Sequence, residues 1–287
     1  LIMSKDNLES SIYAEFYNME NLPFEKNLPV DALCKTTQFT DILTRLQYAS
    51  DNQQFAVLTG DIGTGKSTAL RALRDTLDQE KYLVLYISEN NLTPRWLYSV
   101  PLEQLGQTPK FYVKDTKKLF QNAIKAEVTL RHKKVILIVD EAHLVCASKR
   151  YETLQEIRFL LNNNCDSDAS IALILAGQNE LWDMLEQEKY RAITQRINFV
   201  CKLKPLDEEQ VFQYISAHMI YSKAPDSIFT TEAIRLIAEK SGGIPRIINT
   251  ICKHSLIYAA SRSESIINVE IAQSVITNEI PPCLLSK

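Results

Sequence analysis

Before Pro205 the chain is punctuated by short apolar runs, and the stretches between them repeat their apolar residues at helical spacing. The runs are FAVLT (55–59), LVLYI (83–87), VILIV (135–139), IALILA (171–176) and a less regular fifth at about 197–203. Short continuous apolar runs bounded by polar or glycine positions predict strands buried on both faces. Between them, Phe39, Ile42, Leu43 and Leu46 share one face of 36–49, and Leu70, Leu73 and Leu77 share one face of Lys66–Leu77. Residues 116–131 turn Leu119, Phe120, Ala123, Ile124 and Val128 to one side and Lys118, Asn122, Lys125 and Thr129 to the other, while Leu154, Ile157 and Leu161 mark a further helix.

Strands alternating with helices predict an α/β fold with a parallel five-stranded sheet flanked by helices. After Pro205 only helical segments follow, near 207–221, 230–240, 246–261 and 268–278, which predicts a small all-helical domain. The organisation expected is an N-terminal arm over 1–35, an α/β domain over 36–205, a helical lid domain over 206–280 and a tail over 281–287.

The polar motifs sit at the ends of the first, third and fourth runs. Parallel sheets bind ligands at the carboxyl ends of their strands, so these ends predict one site. The first run closes with Gly60, Asp61, Ile62, Gly63, Thr64, Gly65, Lys66 and Ser67, followed by Thr68, and fits G-x-x-x-x-G-K-[ST] between a strand and a helix. Glycines let backbone N–H groups approach phosphate oxygens, and the helix start faces the anion with its positive dipole end. Lys66 is placed to reach the β- and γ-phosphates and Ser67 to ligate Mg²⁺, so the residues themselves point to a P-loop that binds ATP.

The third run ends in Asp140 and Glu141. Alternation along an extended chain would send these carboxylates to opposite sides, Asp140 to the metal and Glu141 to an attacking water. His143, two positions on, is expected to pack or hydrogen-bond. The fourth run ends in AGQNE, where Gln178 or Asn179 is placed to sense the γ-phosphate or to form a turn. Arg191 and Arg196 precede the fifth run, and Arg246 follows Pro245 at a helix start. Each of these arginines is a candidate for stabilising transition-state charge, with a surface salt bridge as the other reading for Arg191.

Net charge is 32 − 35 = −3, which excludes a uniformly basic nucleic-acid binder but leaves room for a local basic patch. The six cysteines show no C-x-x-C spacing and are expected as reduced thiols. No apolar run has the length of a membrane span, and Lys5, Asp6 and Glu9 interrupt the start, so a cytoplasmic location without membrane contact is expected. Leu1 and Ile2, which precede Met3, are set aside.

Gly60–Ser67, Asp140–Glu141, the polar end of the fourth run, Arg196 and GGIPR stand in the order found in AAA+ ATPases. More narrowly, FYNMENLPFEKN, GDIGTGKSTALRAL, DEAHL, LAGQNEL, QRI and GGIPRIIN resemble the ExeA/TnsC-like group over about 13–277, which includes the MuB-like regulators of DNA transposition. The sequence departs from the commoner AAA+ pattern at Gln178, where Asn, Thr or Ser is usual. The resemblance implies Mg²⁺-dependent ATP hydrolysis, ATP at the subunit interfaces of a homo-oligomer, and assembly on double-stranded DNA without sequence specificity. It also implies recruitment or activation of a transposase, with a target-selector protein as a further partner, and disassembly driven by hydrolysis. It further implies Arg196 acting in trans, Arg246 as a lid sensor, and Pro23 and Phe24 near the adenine. Secretion-linked members carry a membrane span and a wall-binding region, neither of which is visible here.

Candidate DNA contacts are Arg95, Lys110, Lys114, Lys117 and Lys118 between the second and third runs, with Arg131, Lys133 and Lys134 as a second cluster. A solvated charged face is the other reading of both clusters. Trp96, at helical spacing from Ser99 and Val100, is expected in the core, with a base-stacking platform as the other reading. A replication-type loader or initiator ATPase and an ATP-gated scaffold that ignores DNA are the two alternative functions.

Overall fold

The computed structural model describes residues 13–89, 91–145, 150–161, 171–224 and 228–286. It divides into two compact units. One takes in residues 38–62 and 66–203; the other takes in the chain up to Thr37, residues 63–65, and the chain from Lys204 onward.

The first unit is built on strands β1 (Phe55–Gly60), β2 (Tyr82–Ile87), β3 (Lys134–Val139), β4 (Ile171–Gly177) and β5 (Phe199–Leu203). They form one sheet in the order β2-β3-β4-β1-β5, and every pairing is parallel. Alternate residues of each strand face opposite layers. Val57, Leu85, Leu137 and Leu173 pack against the helices Pro94–Gln104, Val113–Thr129 and Arg150–Leu160. Leu58, Ile138, Ile174 and Cys201 pack against the helices Thr37–Asp51 and Lys66–Thr76. Burial on both faces explains why the central strands are solidly apolar in sequence. Each such Leu or Ile contributes about 1.5–3 kcal/mol by leaving water.

The helix Pro94–Gln104 is signalled in the sequence only by the spacing of Trp96 from Ser99 and Val100, although its start is marked. Thr93 caps it by accepting the Trp96 N–H, and Pro94 takes the first turn. The core expectation for Trp96 is corrected: this helix turns Leu97 and Tyr98 inward and leaves Trp96 43% exposed.

The second unit holds the helices Glu208–Ser222, Thr231–Ser241, Pro245–Ser261 and Val269–Asn278. Asp207, Thr230 and Asn268 cap three of their starts, Asp207 as a capping box with Gln210. Val211, Ile237, Ile248, Ile251, Leu256 and Val275 form the centre of the core, and Tyr13, Tyr17 and Phe24 of the lead-in segment are buried in it. The lead-in is tied down by backbone: the Glu20 N–H donates to the Ser222 carbonyl at 2.9 Å, and the Phe24 N–H donates to His218 Nδ1 at 2.9 Å. The Phe24 and His218 rings stack at 4.6 Å. Phe229 and Ile267 form a single parallel bridge where the sequence carries no strand signal.

Among the described residues Cys34, Cys201, Cys252 and Cys283 are free thiols, and burial raises Cys201 to about 11. Cys146 and Cys165 lie outside the described residues. No described helix is long and apolar enough to cross a membrane.

Two predictions follow from this packing. Gly243 has φ +71°, and a Cβ there would fall 1.9 Å from the Leu206 carbonyl oxygen. Gly243→Ala is therefore expected to cost about 3 kcal/mol or more, read as a fall in urea midpoint. Burial pushes the His218 imidazole down to about 4, and its Nδ1 serves as an acceptor. The unfolded chain takes up this proton at about 6.5, so the stability His218 contributes is complete above that pH and is lost as pH falls toward about 4. His218→Asn keeps an acceptor for Phe24 and does not titrate, and it is expected to flatten the fall in urea midpoint between pH 6.5 and 4.5.

Candidate functional site

Strands β3, β4 and β1 are neighbours, with Val139 in register with Leu175 and Thr59 in register with Gly177. Their carboxyl ends therefore lie side by side on one rim of the sheet, and each continues into one of the polar motifs.

Gly60 ends β1, and the helix Lys66–Thr76 begins after a five-residue turn. Gly63 and Gly65 have φ of +84° and +104°, a region that side chains strain. A Cβ built on Gly65 meets no protein atom within 4 Å. Lys66 is 7% exposed, and its ammonium donates to the carbonyls of Gly60 at 2.8 Å and Asp61 at 3.0 Å. A nearly buried cation is thus solvated by the loop's own backbone. Thr64 is buried, Thr68 is half-buried, and Asp61, Ile62 and Ser67 are exposed.

Asp140 follows β3 and is 5% exposed. One of its oxygens accepts the Glu141 N–H at 2.8 Å; the other accepts the Tyr86 hydroxyl at 2.5 Å and the Ser67 hydroxyl at 3.4 Å. The P-loop serine and the strand-end carboxylate are thereby joined directly. Tyr86, from the end of β2, is absent from the sequence reading, because an aromatic residue in an apolar run looks like core. Burial, and then its bond to Asp140, push its hydroxyl above the usual range and keep it a donor.

Glu141 departs from the expected geometry. The extended strand stops at Val139, and Glu141 takes the left-handed conformation, φ +51° and ψ +33°. The two carboxylates are parted by this turn rather than by strand alternation. Glu141 stays 38% exposed, and one of its oxygens lies 3.4 Å from His143 Nδ1.

At the end of β4, Gln178 is the N-cap of the helix Asn179–Leu185, and its backbone N–H donates to His143 Nδ1 at 3.3 Å. It is the Asn179 side chain that reaches the P-loop, donating to the Asp61 carboxylate. Arg191 opens the helix Arg191–Thr194 and is exposed. Arg196 is half-buried, and its backbone N–H donates to the Ile193 carbonyl at 2.9 Å.

In the helical unit, Arg246 stands at the second position of Pro245–Ser261. Pro23 is buried, and Phe24, at φ +60°, commits its ring to His218 and Phe229.

The basic candidates divide. Lys110, Lys114 and Lys118 are exposed. Arg95 is exposed as well, but its guanidinium donates to the carbonyls of Phe111 at 2.6 Å and Lys110 at 3.3 Å and so shapes the turn before Val113–Thr129. That turn carries Phe111 83% and Tyr112 68% exposed. Lys117 pairs with Glu156 at 2.5 Å, and Glu156 also accepts the hydroxyl of the fully buried Tyr98 at 2.6 Å. In the second cluster Arg131 pairs with Glu127, while Lys133 and Lys134 donate to the carbonyls of Gln79 and Asp51.

A backbone-lined loop with a buried lysine, a hydroxyl–carboxylate pair and a water-exposed second carboxylate, all on the rim of a parallel sheet, define a P-loop NTPase. Residues 49–185 match the family described as AAA domain. General secretion pathway protein A of Aeromonas hydrophila is 31% identical over 268 residues, which is 91% of this chain and 47% of that protein. The chain thus spans about half the length of that relative. Two solved structures share the fold at a TM-score of 0.68. Drosophila ORC bound to DNA is 19% identical over 96% of this chain and 67% of that one. The ORC2 protein of Aeropyrum pernix, in ADPNP–ADP complexes, is 13% identical over 89% of this chain and 71% of that one.

The Lys117 contacts yield a prediction. Lys117→Met should lower the melting temperature, at a cost of about 1 kcal/mol, because it leaves Glu156 without its ammonium partner. The salt dependence of any DNA binding, read by fluorescence anisotropy across a salt series, should stay at the wild-type slope.

Proposed function

We propose that this chain is an ATP-driven switch. It binds Mg–ATP at the sheet rim, assembles with copies of itself on double-stranded DNA, and recruits or activates a transposase. ATP hydrolysis then releases the assembly. The carrying observation is the placement of Lys66 and Ser67 beyond β1 and of Asp140 and Glu141 beyond β3, the two strands that flank β4, with Ser67 bonded to Asp140.

The residues present fit the nucleotide. The open space over Gly65 and the amino end of the helix Lys66–Thr76 suit phosphate oxygens, and Lys66 supplies a charge already stripped of most of its water. Mg²⁺ prefers few protein ligands, and the Asp140 carboxylate with the Ser67 hydroxyl offers two oxygens for it. When bound, it would neutralise charge on the phosphates. Glu141, half-buried in a left-handed turn beside Asp140, is assigned to orient and deprotonate the attacking water. Asn179 or Gln178 is assigned to the sensing role. Arg196, with Arg191 as its competitor, is assigned to the neighbouring subunit's nucleotide. The assignments of Arg246 to the phosphates and of Pro23 and Phe24 to the adenine rest on the family resemblance.

DNA contact is assigned to Lys110, on the exposed turn with Phe111 and Tyr112, to Arg95 at the start of the helix Pro94–Gln104, and to Lys114 and Lys118 in the helix Val113–Thr129. The fold likeness to a DNA-bound initiator protein supports a DNA partner, and it equally supports the replication-type reading. The curated secretion-pathway relative supports a further reading, an ATP-gated scaffold that ignores DNA. Duplex DNA separates them: the switch reading expects the ATPase rate to rise with DNA, and the scaffold reading expects no change.

Lys66→Ala is expected to abolish binding of a fluorescent ATP analogue. Glu141→Gln should bind ATP and hold long assemblies on duplex DNA in electron micrographs, with turnover reduced about 100-fold or more. Persistent turnover in Glu141→Gln removes the base assignment. Wild-type chains that stay monomeric with duplex DNA and a slowly hydrolysed ATP analogue remove the assembly reading.

A further inference from the structure

A single imidazole stands between the segments that follow β3 and β4. His143 belongs to the one-turn helix Ala142–Leu144, and its side chain is 9% exposed. Its Nδ1 accepts the Gln178 backbone N–H at 3.3 Å and lies 3.4 Å from an oxygen of Glu141. Gly177 makes room for it: a Cβ there would come within 3.2 Å of both the Nδ1 and the backbone nitrogen of His143, and within 3.0 Å of the Leu181 side chain.

These contacts compete. A ring nitrogen carries either a lone pair or a proton. With a lone pair, Nδ1 satisfies the Gln178 N–H and gives the Glu141 carboxylate no donor. With a proton, it would donate to Glu141 and leave the Gln178 N–H without its acceptor. The N–H aimed at Nδ1 selects the first state, with the ring proton on Nε2.

We propose that His143 is a positioning residue for ATP hydrolysis. Its neutral ring pins the end of β4 through Gln178, and because Nδ1 is used there, it leaves the Glu141 carboxylate free to hold water. A protonated or donating group in the same place would clamp Glu141 and release β4. The proposal rests on the ATPase reading above, since it gives Glu141 a task.

The test uses the full chain with His143→Ala and His143→Asn. The asparagine side-chain oxygen stands where Nδ1 stands and can accept the Gln178 N–H. Two readouts are taken: kcat and KM for ATP, and amide hydrogen exchange, without nucleotide, of the peptide that spans the end of β4. In His143→Ala, kcat should fall about tenfold while KM stays within about twofold, and exchange at Gln178 should quicken. His143→Asn should restore the slow exchange and most of kcat. Wild-type exchange in His143→Ala overturns the proposal, as does wild-type kcat there, or an equal loss in both variants. A wild-type protein with no turnover sinks the ATPase reading instead, and the exchange comparison then decides by itself whether the imidazole holds β4.

Discussion

A parallel sheet covered by helices on both faces has nowhere to put polar chemistry except beyond the ends of its strands. Along most of β1, β3 and β4 every side chain is taken up by apolar packing. Charge is admitted only where the strands stop, and there it must be solvated by the protein. Lys66 meets this condition through two backbone carbonyls, and Asp140 through an amide and two hydroxyls. The site is a consequence of the core: the same burial that fixes the strands brings a cation and a carboxylate to one rim, at positions that side-chain rotation alone cannot change.

Much of this was legible in the residues. Solid apolar runs identified four strands and a looser run the fifth, and glycines flanking a lysine between a strand and a helix identified the phosphate loop. What stayed hidden, for Tyr86 and also for His143 and Asn179, which the sequence had singled out, is the partner each one meets. Tyr86, His143 and Asn179 act through partners far away in the chain: Tyr86 through Asp140, His143 through Gln178, Asn179 through Asp61. Periodicity reports which face of an element a residue occupies and says nothing of what crosses the gap to meet it. The left-handed Glu141 was hidden for another reason, since glutamate gives no local signal for positive φ and is held there by its surroundings.

Charge was the least readable property. The five basic residues of the first candidate cluster look alike in sequence, yet the structure gives them different work. Arg95 braces a turn, Lys117 neutralises a partly buried glutamate, and the remaining three face solvent. Composition cannot make this division, because it depends on which carboxylate or carbonyl the fold brings within reach.

The aromatic residues of the lead-in segment bear on how the protein can be taken apart. Tyr13, Tyr17 and Phe24 are interior residues of the helical unit, although nearly the whole sheet unit separates them from it in sequence. A fragment that starts at Lys204 would therefore bare the apolar surface that these rings cover, and would be expected to clump or to bind detergent. The smallest piece of this unit with a complete interior is discontinuous in sequence. A circularly permuted gene that stitches the lead-in behind the last helix is the way to produce it as one chain.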